Sequence, residues 1–215
     1  MTTTTPDLQS SARRHLWMQW TQMADYLEGD RKIPIMVRGE GCHVYDDQGH
    51  RYLDALSGLF CINLGYGRRE IVDAIAAQAA ELAYSPNWSR THRPAVLLAE
   101  RMANLAPGDL NRVFFTSGGS EAVESAIKLA RQFHKLTGHP NKTKVIAREG
   151  AYHGSTFGAL SATGISSSRQ AYEPLMPGSH HVPATNLYRR PPGFADEDFA
   201  ETIAHKIEFE GPDTI

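Results

Sequence analysis

Phe114 to Gln132 reads FFTSGGSEAVESAIKLARQ: an apolar, strand-prone burst, two adjacent glycines, then apolar residues that return at helical spacing. The pattern predicts a strand over Arg112–Thr116, a tight turn at Gly118-Gly119-Ser120 and a helix over Ser120–Thr137. A strand that ends in a glycine turn and opens a helix gathers free backbone N–H groups and the positive end of the helix dipole at one point, which suits an anion and above all a phosphate. Gly118 and Gly119 let the backbone come close to such a group, and Ser120 adds a hydroxyl donor. The same residues would also serve as a plain turn with a serine cap. No Lys-Ser or Lys-Thr follows the glycines, so the turn is not a P-loop, and it lacks the G-x-G-x-x-G spacing of a dinucleotide fold.

Outward from that stretch, the chain divides into two styles. Upstream, Ile35–Arg38, His43–Asp46 and Arg51–Leu53 are short β-prone pieces separated by Gly-Glu-Gly and Asp-Asp-Gln-Gly, which predicts a small antiparallel meander. Ile71, Ala74, Ile75, Ala79 and Leu82 then recur at helical spacing, and a second helix follows Pro94 with Val96, Leu97 and Met102; both are expected to pack one face on a sheet. Downstream of Ala106-Pro107-Gly108, strand and helix alternate: strands at Lys144–Arg148 and His180–Pro183, a short helix near Ser155–Ala162, and a last helix over Asp196–Phe209. Such alternation predicts an α/β fold with a parallel-rich sheet flanked by helices.

With 215 residues, 41% of them hydrophobic, the chain has enough apolar material for a core. Its formal net charge of −2 and scattered charges leave no electrostatic footprint for nucleic acid or an anionic membrane surface, and no stretch has the length and apolarity of a signal peptide or a membrane span. Cys42 and Cys61 are too few for a disulfide framework and are expected to be small buried hydrophobes, which fits a reducing, cytoplasmic setting. The Thr-rich residues 1–10 are expected to be a disordered terminus.

A second cluster lies in REGAYHGSTFGALSATG, Arg148–Gly164, where Tyr152 and His153 sit just past a strand between Gly150 and Gly154. In an open α/β sheet, ligands bind beyond the carboxyl ends of the strands, so an aromatic face and a phosphate cradle would serve one ligand there. FFTSGGSEAVESAIKLAR and GAYHGSTFGALSATG, with LSGLFCINLGYG upstream, together resemble the class III aminotransferases, the fold type I pyridoxal-phosphate enzymes that include the ω-amino acid:pyruvate transaminases. The resemblance runs from the meander to the end of the chain. It implies that Gly118, Gly119 and Ser120 bind the phosphate of pyridoxal 5′-phosphate, that Tyr152 stacks on its ring with His153 alongside, and that Phe60 and Trp88 line the substrate pocket. It implies an incomplete fold type I architecture: residues 11–60 as the N-terminal part of a small domain carrying the meander, and 61–215 as a partial large cofactor-binding domain. A homodimer and two small-molecule partners, an amine donor and a keto acid acceptor such as pyruvate, are implied for the full-length enzyme.

The family also needs a lysine that holds the cofactor as a Schiff base and a carboxylate that pairs with its ring nitrogen. None of Lys32, Lys128, Lys135, Lys142, Lys144 and Lys206 stands in the strand-end, small-residue context of that lysine, and Lys128 is expected to be a surface charge on its helix. The expectation is therefore an N-terminal portion that is inactive alone, and the alternative is a non-catalytic fragment that binds the cofactor, a phosphate or a partner chain. The histidines show no H-E-x-x-H spacing, which gives a metal-dependent hydrolase little support, and adjacent His180 and His181 on a strand would face opposite ways.

Overall fold

The computed structural model describes residues 7–28, 31–190, 193–195 and 198–215. The chain divides into two compact units, Met1–Ala95 and Val96–Ile215.

In the first unit, α1 (Leu8–His15) is capped by Asp7, whose carboxylate accepts the Gln9 N–H, and a short α2 (Ala24–Leu27) follows. The helix of α1 corrects the expected disorder of residues 8–10; residues 1–6 lie outside the described residues. Three short strands, β1 (Met36–Glu40), β2 (His43–Asp46) and β3 (Arg51–Leu53), form the antiparallel meander in the order β1-β2-β3, with Gly39 opposite Val44 and Val44 opposite Tyr52. The β2–β3 turn is organised by Asp46, which is buried and accepts hydrogen bonds from the backbone of Gln48 and His50, the His50 ring and the Tyr52 hydroxyl.

The single turn α3 (Ser57–Phe60) is left-handed: Ser57, Gly58, Leu59 and Phe60 all have φ between 51° and 67°. Such a run opposes the handedness that L-residues prefer. It is held by Asp54, whose carboxylate accepts from the Gly58 N–H at 2.7 Å and from the Tyr66 hydroxyl at 2.8 Å. Cys61 closes this turn and Cys42 lies between β1 and β2; both are exposed, against the expectation of burial, because each sits in a connection rather than on an inward-facing strand or helix position. The helix α4 (Arg69–Glu81) buries none of its residues, so the apolar face of Ile71 and Ile75 finds no cover among the described residues. Periodicity identifies a face that needs covering; it does not supply the cover.

A helix, α5 (Arg93–Leu105), runs through the division between the units and leaves Val96, Leu97 and Met102 half exposed. In the second unit, α6 (Gly119–Leu136) is followed by β4 (Val145–Arg148), α7 (Phe157–Ala162), α8 (Ser166–Arg169), β5 (Ser179–Val182) and α9 (Asp198–Glu210). The strands β4 and β5 pair in parallel, Ile146 opposite His180, so their connection is a crossover through α7 and α8. Ala147, Ala159, Leu160, Ala162, Val182 and Phe199 form the buried core. His180 and His181 take partners on different helices, as alternation requires: His180 meets Glu210 on α9, and His181 meets the Ala162 carbonyl at the end of α7.

The strand expected at Arg112–Thr116 is absent. A strand exists through its ladder, and no described segment pairs with this one, so Phe114 stays 80% exposed. The last helix starts at Asp198; the expected start at Asp196 lies outside the described residues.

Candidate functional site

The site is built on the first turn of α6. Gly118, the N-cap, is fully extended, and no side chain caps the helix, so the first N–H groups of an 18-residue dipole point out of the fold at Gly118, Gly119 and Ser120. A Cβ at Gly118 or Gly119 would meet nothing within 4 Å, so the backbone of the turn is open on that side. Glu121 folds back so that its carboxylate accepts the Ser117 N–H at 2.9 Å, which steadies the entry to the helix without occupying its end.

Ser120 is engaged in a way that the sequence does not reveal. Its Oγ accepts the Ser155 N–H at 3.0 Å, so its own hydroxyl hydrogen stays available to a ligand. The contact is close enough that a Cβ at Gly154 would lie 2.5 Å from Ser120 Oγ and 2.9 Å from Ser120 Cα, while Gly154 itself has a φ of +136°. Only glycine fits there, on both counts.

The structure thereby brings the loop that carries Tyr152 and His153 against the start of α6. Backbone hydrogen bonds tie that loop at several points. The Gly150 N–H donates to the Gly164 carbonyl at 2.9 Å, and the Gly164 N–H donates back to the Ala151 carbonyl at 2.8 Å. Thr163, which is fully buried, accepts the His153 N–H at 3.0 Å and donates toward the Gly154 carbonyl at 3.1 Å. Tyr152, between the tied residues Ala151 and His153, is 55% exposed.

Sequence reasoning missed Glu124. From the second turn of α6, its Oε1 accepts the Thr156 hydroxyl at 2.6 Å, the Gly158 N–H at 2.8 Å and the Ala159 N–H at 3.3 Å. The bond from Thr156 outweighs desolvation and, with the two N–H donors, holds this carboxyl below its usual range. Its partners lie more than thirty residues away, so no local pattern could have shown the role.

The other nominated residues belong to the first unit. Phe60, 72% exposed, is the last residue of the left-handed turn α3, and Trp88 is 83% exposed. Lys128 is exposed on α6, as expected for a surface charge. Lys144 and Lys206 are paired with Glu210 at 3.0 and 2.8 Å, and Lys142 donates to the Pro212 and Ile215 carbonyls. On the apolar flank of α6, Phe114, Ala122, Ala126 and Leu129 border an open hollow of about 380 Å³, apart from the glycine turn.

The model of the family described as aminotransferase class-III matches residues 27–214. The chain belongs to that family. It is 50% identical over 212 residues to a probable aminotransferase of Mycobacterium tuberculosis, an alignment that takes in 97% of this chain and 45% of the relative. It is 37% identical over 178 residues to the omega-amino acid–pyruvate aminotransferase of Pseudomonas putida, covering 81% of this chain and 39% of that protein. Among solved structures, an (S)-enantioselective omega-transaminase from Thermomicrobium roseum superposes with a TM-score of 0.91 at 38% identity, over 97% of this chain and 47% of that one. The omega transaminase of Pseudomonas jessenii, solved in complex with PMP, gives a TM-score of 0.90 at 33% identity, over 98% and 47%. The fold is therefore that of the transaminases, and this class III chain spans just under half the length of the relatives it matches.

Proposed function

We propose that this chain provides the phosphate- and ring-binding part of a pyridoxal-phosphate-dependent aminotransferase that moves an amino group from an amine or ω-amino acid to a keto acid such as pyruvate. The observation that carries the reading is the uncapped start of α6, with the Ser120 hydroxyl turned into a ready donor by the Ser155 N–H. The N–H groups at Gly118, Gly119 and Ser120 hold the phosphate, whose charge the helix dipole favours. Tyr152 stacks on the ring from a loop anchored on either side of it by the Ala151 carbonyl and the His153 N–H, and His153 flanks it. Phe60 and Trp88 are assigned to the amine and keto acid side of the reaction. Bound pyridoxal phosphate supplies the electron sink on which the amino-group transfer depends.

The lysines favour binding without turnover by this chain alone: Lys144 and Lys206 are committed to Glu210, and Lys142 to carbonyls near Ile215. Turnover then needs a lysine from outside these 215 residues, within a cytoplasmic homodimer of complete active sites. The test is a fluorescence titration of the chain with pyridoxal 5′-phosphate, followed by borohydride reduction and mass mapping of lysines. Saturable binding that weakens roughly tenfold or more in Ser120→Ala, with no single lysine labelled, supports the reading. Binding indifferent to Ser120 overturns the site, and stoichiometric labelling of one lysine overturns the claim that the chain has none for the chemistry.

A further inference from the structure

The helix α7 has six residues, too few to hold together without help, and its own N-cap residue, Thr156, does not cap it. The hydroxyl of Thr156 is instead spent on Glu124, and Glu124 takes over the capping, accepting from the second and third N–H groups of α7. A carboxylate on one helix thus serves as the missing cap of another. The fit leaves no slack, because a Cβ on Gly158 would run into the Glu124 carboxylate.

This bond set lies one helical turn from Ser120, whose Oγ receives the Ser155 N–H. Residues 120 and 124 face the same way on α6, and residues 155 to 159 run past both of them. Two rungs, Ser120 to Ser155 and Glu124 to Thr156, Gly158 and Ala159, therefore fix the register between α6 and the chain that leads from Tyr152 into α7. Thr163 anchors the same loop from its far side through His153 and Gly154.

We propose that Glu124 is a positioning residue for the cofactor site: through the N-terminus of α7 it holds the Tyr152–Ser155 loop at a fixed offset from the Gly118–Ser120 turn. The proposal rests on the reading that these two segments bind one pyridoxal phosphate. Glu124 is given no contact with the cofactor in this role: its Oε1 is taken by Thr156, Gly158 and Ala159, and it sets the distance between the two segments that bind. The Thr156 hydroxyl and the two N–H donors hold this carboxyl below its usual range, in keeping with an oxygen that accepts three hydrogen bonds.

The experiment uses this chain and two readouts. Hydrogen exchange without ligand follows the amides of Ser155, Gly158 and Ala159, and pyridoxal 5′-phosphate titration gives the dissociation constant. Glu124→Ala is expected to raise exchange at all three amides by roughly tenfold or more and to weaken pyridoxal phosphate by a similar factor. Glu124→Gln, which keeps the acceptor oxygen and the length, is expected to stay within about threefold of the wild type on both. Should Glu124→Ala fail to fold, Thr156→Val removes the shortest of the three bonds and is expected to loosen Gly158 and weaken the ligand in the same direction.

Wild-type exchange and affinity in Glu124→Ala, or in its substitute Thr156→Val, overturn the proposal. So does a Glu124→Gln variant as defective as Glu124→Ala, because charge and not position would then be at work. If the wild type itself binds no pyridoxal phosphate, the proposal falls with the cofactor reading; amides that still loosen in Glu124→Ala then place the failure in that reading and not in the clamp.

Discussion

Gly154→Ala tests the closest approach in the site. Two penalties act at once. The φ of +136° lies where residues with a Cβ are strained by about 1–3 kcal/mol. The new methyl would stand 2.5 Å from Ser120 Oγ, 2.8 Å from Ala159 Cβ and 2.9 Å from Ser120 Cα. The Ser120 hydroxyl can rotate away, but the other two atoms move only with α6 or α7, so overpacking adds about 1–3 kcal/mol. The sum is roughly 2–6 kcal/mol, a large part of the stability of a domain. Gly150→Ala is the matched control: its φ is +75°, but nothing lies within 4 Å of the new methyl, so it should lose only about 1–2 kcal/mol. Urea unfolding should be followed by far-UV circular dichroism, because Trp17, Trp20 and Trp88 all belong to the first unit. Coincident unfolding midpoints for the two variants, or a Gly154→Ala variant within about 0.5 kcal/mol of wild type, would refute the claim that the loop is pressed against α6.

Three other outcomes follow from the same structure. Desolvation alone would raise the Asp46 carboxyl, but the His50 ring, the Tyr52 hydroxyl and two backbone N–H groups hold it at about 2. Its contribution to stability is complete above its unfolded value of about 3.9 and is lost as pH falls toward 2, so Asp46→Asn should flatten the acid limb of unfolding as read by the tryptophans of the first unit. Glu210, held at about 2 first by Lys206 and then by Lys144, has the same sign in the second unit, and Glu210→Gln should flatten the acid limb of unfolding in circular dichroism. Phe199, buried and 5.6 Å from the Phe194 ring, should lose about 3–5 kcal/mol as Phe199→Ala by urea midpoint, whereas a change below about 1 kcal/mol would mean that α9 is not part of the core.

What could be read from the sequence was local. The meander strands, α6 and the β4–α7–β5 alternation fell within a residue or two of expectation because each carries its own period and its own turn residues. The strand at Arg112–Thr116 failed because pairing is a property of two segments, and α4 and α5 failed to pack for the same reason. Ser57–Phe60 was illegible, since nothing in the propensities of Leu59 or Phe60 announces a positive φ; Asp54 and Tyr66 impose it from outside the turn. In the site, the glycines and Ser120 were legible as a motif, but the Ser155 N–H that orients the serine and the carboxylate of Glu124 that braces the loop come from contacts across thirty residues or more.

The left-handed turn at Ser57–Phe60 inverts a familiar ranking. In an ordinary helix, alanine outranks glycine by about 1 kcal/mol. At Leu59, with φ and ψ of 58° and 54° and a side chain 69% exposed, glycine should outrank alanine by a comparable amount, since it sheds the left-handed penalty and gives up little packing. A saturation scan of this stretch would therefore show an island where the residue that usually weakens a helix becomes the best tolerated, an imprint of backbone handedness in mutational data alone.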